Sequence, residues 1–124
     1  MAAAISRFAS LIDGLASGHL TDPRFRAIVD RDLRDGQHRN PTGEAQYFAT
    51  AYFHAPDELR DEIARAGWTA EQMLGVESLG AYAYARGATP PLPLPELLDL
   101  IDRVAAEPSL LGASPHLLAV ARNR

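Results

Sequence analysis

The chain has 124 residues, 47% of them hydrophobic, and a net charge of −4, which is the size and composition of one globular domain. Its strongly basic side chains are all Arg and are interleaved with Asp and Glu, which argues against a basic stripe that binds nucleic acid. The sequence has no cysteine for a disulfide or thiolate site, and no apolar run reaches the roughly 18 residues of a membrane helix. We therefore expect a single cytoplasmic domain over residues 1–124.

Two helices are predicted before residue 36. The first ends near Gly18 and is indicated by apolar residues at three- and four-residue steps: Ile5, Phe8, Ile12 and Leu15. The second begins at Pro23, because Asp22 can accept hydrogen bonds from free amide groups and proline is tolerated at the first helical position. Its predicted inward-facing stripe is Phe25, Ile28, Val29 and Leu33.

A loop, an aromatic run, a helix and a strand are predicted between residues 36 and 77. Residues 36–44 are rich in turn formers. A dense aromatic run follows and ends at His54; its members are Tyr47, Phe48, Tyr52 and Phe53. A third helix begins at Pro56 and ends at Gly67, with acidic residues in its first turn. Residues 69–77 are predicted to form a strand.

The last part of the chain is predicted to contain a linker, a helix and a strand. Residues 88–94 are proline-rich and predict a stiff linker. Pro95 opens a fourth helix that Pro108 terminates, with an inward face of Leu97, Leu98, Ile101 and Val104. Residues 117–121 predict a final strand. Helices dominate, so the pattern indicates a helix-rich α/β chain.

His54 is the residue that the sequence favours for proton transfer. It ends the aromatic run, precedes a helix start, and carries an imidazole that titrates near neutral pH. The alternative is that its imidazole caps the helix beginning at Pro56, because the sequence shows no carboxylate that would orient the ring. The remaining histidines, His19, His38 and His116, lack metal-ligand spacing, and no metal site is expected.

Two segments resemble parts of a known family. Residues 54–68 read HAPDELRDEIARAGW, and residues 114–122 read SPHLLAVAR. Together they resemble the last helix and last strand of class I S-adenosylmethionine-dependent methyltransferases. Residues 5–11, 39–43, 52–54 and 108–116 narrow the resemblance to the small-molecule type common in high-GC actinobacteria. The resemblance implies the helix-rich C-terminal part of a Rossmann-like fold, with a small, partly antiparallel sheet.

The resemblance also implies a cofactor, S-adenosylmethionine, for the complete family fold. That cofactor is held by a glycine-rich turn and an acidic residue, and no G-x-G-x-x-G array occurs in this sequence. The chain is therefore expected to bind no cofactor alone. It would correspond to a truncated C-terminal half, with lid-like helices and an aromatic loop in residues 1–54 and the terminal helix–strand part in residues 55–124. The expected partner is a separately encoded cofactor-binding half or a second copy, and neither nucleic acid nor membrane.

By the same resemblance, residues of the lid are expected to contact a small-molecule acceptor. The candidate apolar wall is Phe8, Leu11, Tyr47, Phe48 and Tyr52, and Arg39 is a candidate ligand for an acceptor carboxylate. Methyl transfer depends chiefly on positioning, so a shaped wall is a plausible contribution from these residues. The alternative is a noncatalytic small-molecule-binding or assembly module derived from that fold.

Overall fold

The computed structural model of the chain describes residues 1–87, 89 and 92–124 and has an α/β fold with one mixed five-stranded sheet. Its strands are β1 (Ala2–Ser6), β2 (Gln37–His38), β3 (Ala51–His54), β4 (Trp68–Gly75) and β5 (His116–Asn123). Its α-helices are α1 (Ala9–Ser17), α2 (Pro23–Asp35), α3 (Pro56–Arg65) and α4 (Leu94–Val104). Short 3-10 segments occupy His19–Thr21, Ala45–Tyr47, Ser78–Gly87 and Pro108–Ala113.

The sheet has the strand order β2-β3-β1-β5-β4. The central strand β1 runs parallel to β3 and antiparallel to β5, and β5 is also antiparallel to β4. The predicted strands at 69–77 and 117–121 are thereby confirmed, as is the partly antiparallel sheet. Because β1 and β5 are neighbours, one sheet contains strands from both residues 1–54 and residues 55–124.

The start of the first predicted helix is wrong. Ile5 lies in β1, where it pairs with Phe53 on one side and His116 on the other, and α1 begins only at Ala9. An alanine-rich run has high helix propensity, but pairing with two strands overrides that local preference. The helical spacing of Ile5 and Phe8 is therefore coincidental.

The beginnings of the second and third helices are confirmed. Asp22 accepts a 2.8 Å hydrogen bond from the backbone amide of Arg24, and Pro23 is the first residue of α2. At α3, the Glu58 carboxylate accepts from the backbone amide of Ala55 at 2.9 Å. These contacts satisfy amide groups that a helix start leaves unpaired.

The prediction that two of the leucines face inward is wrong. Leu33 of α2 is 39% exposed and Leu98 of α4 is 50% exposed, whereas Leu97 is buried. In α2 the buried face continues through Asp32 instead, one residue away from the predicted apolar position. Of the linker predicted at 88–94, residues 88, 90 and 91 lie outside the described residues.

Two apolar clusters form the core. One packs α3 against β4 and β5 and contains Leu59, Ile63, Met73, Leu111, Leu117 and Ala119. The other packs α2 against the segment before β3 and contains Phe25, Ile28, Val29 and Tyr47. Within the described part of the chain, no helix combines the length and apolar character needed to cross a membrane.

Candidate functional site

A cleft of about 910 Å³ lies between one face of α1 and the segments that flank β4 and β5. The helix contributes residues spaced at three- and four-residue steps, which share one face of an α-helix: Ala9, Ile12, Asp13 and Ala16. Phe48, from the loop before β3, and Ala81 and Pro115 add further apolar surface. Glu77 and His116 also line the cleft and bring ionisable groups to it.

The side chains of His116 and Glu77 are in hydrogen-bond contact in this cleft. The Nδ1 atom of His116 contacts Glu77 Oε1, while Glu77 Oε2 accepts from the backbone amide of His116 at 3.0 Å. Burial alone would raise the pKa of Glu77, but its interactions with His116 and a hydrogen bond to its own backbone together outweigh burial and lower the pKa. The ionised carboxylate therefore accepts a hydrogen bond from the Nδ1–H group and orients the ring, so Nε2 is the nitrogen that carries no proton in this tautomer.

Buried Ser114 fixes the position of Glu77. Its Oγ lies 3.1 Å from Glu77 Oε2 and 2.9 Å from the His116 carbonyl oxygen, and it accepts from the Ser78 amide at 3.1 Å. A side chain added at Gly75 would come within 3.0 Å of the Ser114 Cβ, so this corner is closely packed. The Glu77–His116 pair thus rests on a rigid base, as a site that positions a reacting group requires.

Asp13 is the second carboxylate of the cleft. Burial raises its pKa, and the nearby His19 opposes that effect in part. The Asp13 Oδ2 and His19 Nδ1 atoms are 3.6 Å apart, and neither has a hydrogen-bond partner among the described residues. Since the Asp13 side chain is 39% exposed, it remains open to a ligand in the cleft.

A buried polar network behind the cleft contains Ser10, Asp32 and His38. Asp32 Oδ2 accepts from Ser10 Oγ at 2.6 Å and lies 2.8 Å from His38 Nδ1, and all three side chains are inaccessible to solvent. His38 Nε2 lies 2.8 Å from the Tyr47 carbonyl oxygen. The serine bonds the carboxylate and not the imidazole, so the arrangement activates no nucleophile. It ties α1 and α2 to β2 and to the loop that carries Phe48.

The pKa of His38 follows from these contacts. Burial alone would lower it, but the hydrogen bonds to Asp32 and to the Tyr47 carbonyl outweigh burial and raise it. An acceptor oxygen faces each ring nitrogen, and a protonated imidazole can donate to both. The ring also stacks on Phe53 with centroids 4.6 Å apart.

His54 and Tyr52 lie in a different, smaller cleft of about 430 Å³, together with Glu58, Glu62 and Arg65. His54 Nε2 is 2.8 Å from Glu62 Oε2, so the ring has a carboxylate partner that the sequence did not reveal. Glu58, not the imidazole, caps the start of α3, and the capping alternative for His54 is wrong.

Arg7 connects this smaller cleft to the sheet. It is buried and donates to the Phe53 carbonyl oxygen at 3.0 Å and to Glu58 at 2.5 Å. Its guanidinium also lies 3.4 Å from the Tyr52 hydroxyl. The end of β1, strand β3 and the start of α3 are therefore held together by one side chain.

The predicted acceptor residues are not brought to one place. Only Phe48 lines the 910 Å³ cleft. Tyr47 is buried in the core, with its hydroxyl donating to Asp22 at 2.7 Å, and Leu11 packs against the same core cluster. The Phe8 ring lies against Gly112. The aromatic residues of the lid therefore do not converge on one cavity.

Arg39 is not among the described residues that line either of these clefts. Its guanidinium donates to the Gln37 side chain at 3.1 Å on the surface. The neighbouring Asn40 amide is used inside its own loop, where it donates to the carbonyl oxygens of Glu44 and Phe48. The loop therefore stabilises itself and does not present a paired site for a carboxylate.

The turns that follow β1 and β3 lack the glycine-rich form that holds S-adenosylmethionine in the resembled family. A cofactor turn of this kind needs glycine between the end of a strand and the start of a helix, so that backbone can approach the ligand. The turn from β1 to α1 is formed by Arg7 and Phe8, and the turn from β3 to α3 by Ala55. In addition, no group of three or more His, Cys, Asp or Glu in the described part of the chain could hold a metal ion.

Sequence reasoning missed Asp13, Glu77 and His116 as a group because 103 positions separate the first from the last. One signal for the buried network was present: Asp32 continues the spacing of Phe25, Ile28 and Val29 on the inner face of α2. A carboxylate on an otherwise apolar stripe indicates a buried polar partner. In comparisons with known proteins, no family model, curated protein or solved structure matches the chain.

Proposed function

We propose that this chain is the acceptor-binding part of an S-adenosylmethionine-dependent methyltransferase of small molecules and is inactive without a cofactor-binding half. The observation that carries the proposal is the cleft in which the Glu77-oriented His116 lies beside apolar residues of α1 and Phe48. A proton acceptor next to an apolar wall suits an acceptor whose nucleophilic atom must lose a proton. The antiparallel β4–β5 pair that follows α3 is also the arrangement that the resemblance implies.

His116 is the proposed catalytic residue of this cleft, with Glu77 as its positioning residue. The rigid Ser114 corner supports both residues, and Phe48 would orient the acceptor body. His54 stays a second candidate for proton transfer, but its cleft is smaller and is lined by charged side chains. An acceptor with an apolar body therefore fits the first cleft better.

The edge of β1 offers a place for the partner half. Pairing with β3 covers Ile5 and Ser6 of β1 and does not extend to Ala2, Ala3 and Ala4. The Ser6 amide donates to the Pro115 carbonyl on the β5 side, and the Arg7 amide donates to the His54 carbonyl on the β3 side. Because backbone amides point alternately to the two sides along a strand, the Ala3 amide points to the same side as that of Arg7, towards β3. An unpaired edge of this kind accepts a strand from another chain.

The proposal is tested by cofactor retention. The chain is co-expressed with each reading frame adjacent to its gene, and co-purified complexes are titrated with S-adenosylmethionine by calorimetry. The complex should bind the cofactor, whereas the chain alone should give no dissociation constant below about 100 μM, an affinity that requires an organised pocket. Tight binding by the chain alone would refute the division of roles.

A matched pair of variants tests the proposed edge. Ala3→Pro removes the amide donor and should abolish the complex, while Ala3→Val keeps the donor and should preserve it. If no adjacent reading frame yields a complex, the noncatalytic binding module replaces the methyltransferase proposal.

A further inference from the structure

The α1–α2 groove, of about 520 Å³, lies between one face of α1 and one face of α2. Residues at three- and four-residue steps share one face of a helix, and those that line this groove include Leu11 and Leu15 of α1 and Arg26, Val29, Asp30 and Leu33 of α2. Val29 is buried and forms part of the floor, whereas Leu15 is 62% exposed and Leu33 is also exposed. Two exposed leucines on one groove are typical of a surface that another chain covers.

The α1–α2 groove also carries the charged side chains of Arg26 and Asp30. Both are exposed, and within the described part of the chain neither side chain forms an ion pair or a hydrogen bond. They lie one helical turn apart, but a basic residue before an acidic one is the less favourable order for pairing within a helix. Both charges are therefore available to another molecule.

These two charges are complementary to their own copies across a twofold axis. In an isologous dimer, one residue contacts a second residue of the other copy, and the reverse contact occurs as well. If two copies of α2 pack antiparallel about an axis beside Ile28, Arg26 of each copy faces Asp30 of the other, because both residues are equally far from Ile28. One symmetry operation therefore pairs both charges of each copy.

The packing of α1 on α2 places Leu15 level with the first turn of α2. The two helices run antiparallel, since Ser10 donates to Asp32 near the C-terminal end of α2 and Gly14 lies against Phe25 near its N-terminal end. The approach is close, because a Cβ added at Gly14 would lie 2.7 Å from the Phe25 ring. Leu15 is the next residue of α1 and therefore lies level with the start of α2.

The same twofold register brings the exposed leucines of the two copies together. Leu33 and Pro23 are equally far from Ile28, so Leu33 of one copy is level with the first residue of α2 in the other copy. Leu15 of that other copy lies at this level to within about one helical turn, or about 5 Å. The pairing of charges and the burial of leucines thus favour one and the same register.

We infer that the α1–α2 groove is the interface of a homodimer in which two copies of α2 pack antiparallel about a twofold axis beside Ile28. Arg26 pairs with Asp30 of the second copy, and Leu33 packs against Leu15 of the second copy. This interface is independent of the proposed function, because none of these residues lines the 910 Å³ cleft or belongs to β1. Since one groove is a small interface, the dimer should be weak and form between about 10 μM and about 1 mM.

Sedimentation velocity of the intact chain over this range of concentration tests the dimer. Leu15→Gln and Leu33→Gln should each raise the dimer dissociation constant about tenfold or more, because each removes apolar surface from the interface. Leu98→Gln is the control, since Leu98 is 50% exposed on α4, and it should leave the dissociation constant unchanged. A chain that stays monomeric up to about 1 mM overturns the inference, and so does a dimer that neither groove variant weakens.

Charge reversal tests the register. Arg26→Asp and Asp30→Arg each place like charges opposite one another in the homodimer and should each weaken it about tenfold or more. An equimolar mixture of the two variants restores opposite charges at both contacts and should dimerise about as tightly as the native chain. The charge-matched pair Arg60→Asp and Asp61→Arg, on the exposed side of α3, should leave association at the native level, separately and mixed. A mixture no tighter than the separate groove variants refutes the register, and loss of the dimer in Ala3→Pro, which acts on the edge of β1, refutes the interface.

Discussion

Removal of the Asp32 carboxylate should destabilise this protein more than any other change to a charged residue of α2. Asp32 is fully buried and is the shared partner of Ser10 and the protonated His38. Asp32→Ala leaves an imidazolium and a hydroxyl buried without their acceptor. Breaking a buried ion pair from one side costs about 3–5 kcal/mol in the free energy of unfolding.

Asp32→Asn should lower the free energy of unfolding less than Asp32→Ala does, because the amide oxygen can still accept hydrogen bonds from Ser10 and His38. The native carboxylate makes its hydrogen bonds through Oδ2, and its Oδ1 has no partner among the described residues. The new amide group would place buried N–H donors at that unpaired position. An unsatisfied buried donor costs about 1–3 kcal/mol, which sets the expected loss for this variant.

Urea denaturation followed by circular dichroism measures both variants. Asp30→Ala is the control, since Asp30 is exposed on the same helix and the substitution has the same effect on helix propensity. If the unfolding free energy of Asp32→Ala falls within about 1 kcal/mol of that of the control, the reasoning is refuted, because breaking a buried charge pair should cost more than that.

Three further outcomes are expected. The raised pKa of His38 adds stability that is fully present below its unfolded pKa of about 6.5 and is lost as the pH rises through the folded pKa. The difference in unfolding free energy between the native chain and Asp32→Asn should therefore narrow as the pH rises above about 6.5, and a constant difference in urea melts would contradict this. Gly36→Ala should lower the free energy of unfolding more than Gly43→Ala does. Both positions have positive φ, which costs an alanine about 1–2 kcal/mol of strain, but of the two only a Cβ added at Gly36 would clash with a backbone oxygen, that of Phe53. Arg7→Met should lower the free energy of unfolding by about 2 kcal/mol, because the Phe53 carbonyl loses its hydrogen-bond donor. Glu58→Gln keeps an acceptor for the Ala55 amide and should lower it by under about 1 kcal/mol in the same urea melts.

Elements with local signals could be predicted from the sequence. Asp22-Pro23 and Pro56 set the starts of α2 and α3, because capping and the fixed φ of proline act within one helical turn. The strand positions of β4 and β5, and the α/β class with its antiparallel pair, were likewise predictable.

The identity of β1 and the set of residues in the site depend on tertiary contacts. The alanines of β1 favour a helix locally, and they form a strand because β3 and β5 supply hydrogen-bond partners on either side. Tyr52 was predicted to share an acceptor wall with Phe48, but β3 carries it to a different cleft, which it shares with His54. The cleft joins Asp13 of α1 to Glu77 and His116 at the ends of β4 and β5, residues with no periodic or spacing relation in the sequence. Their proximity follows from strand register and helix packing, which depend on contacts between distant segments and leave no signal within any one of them.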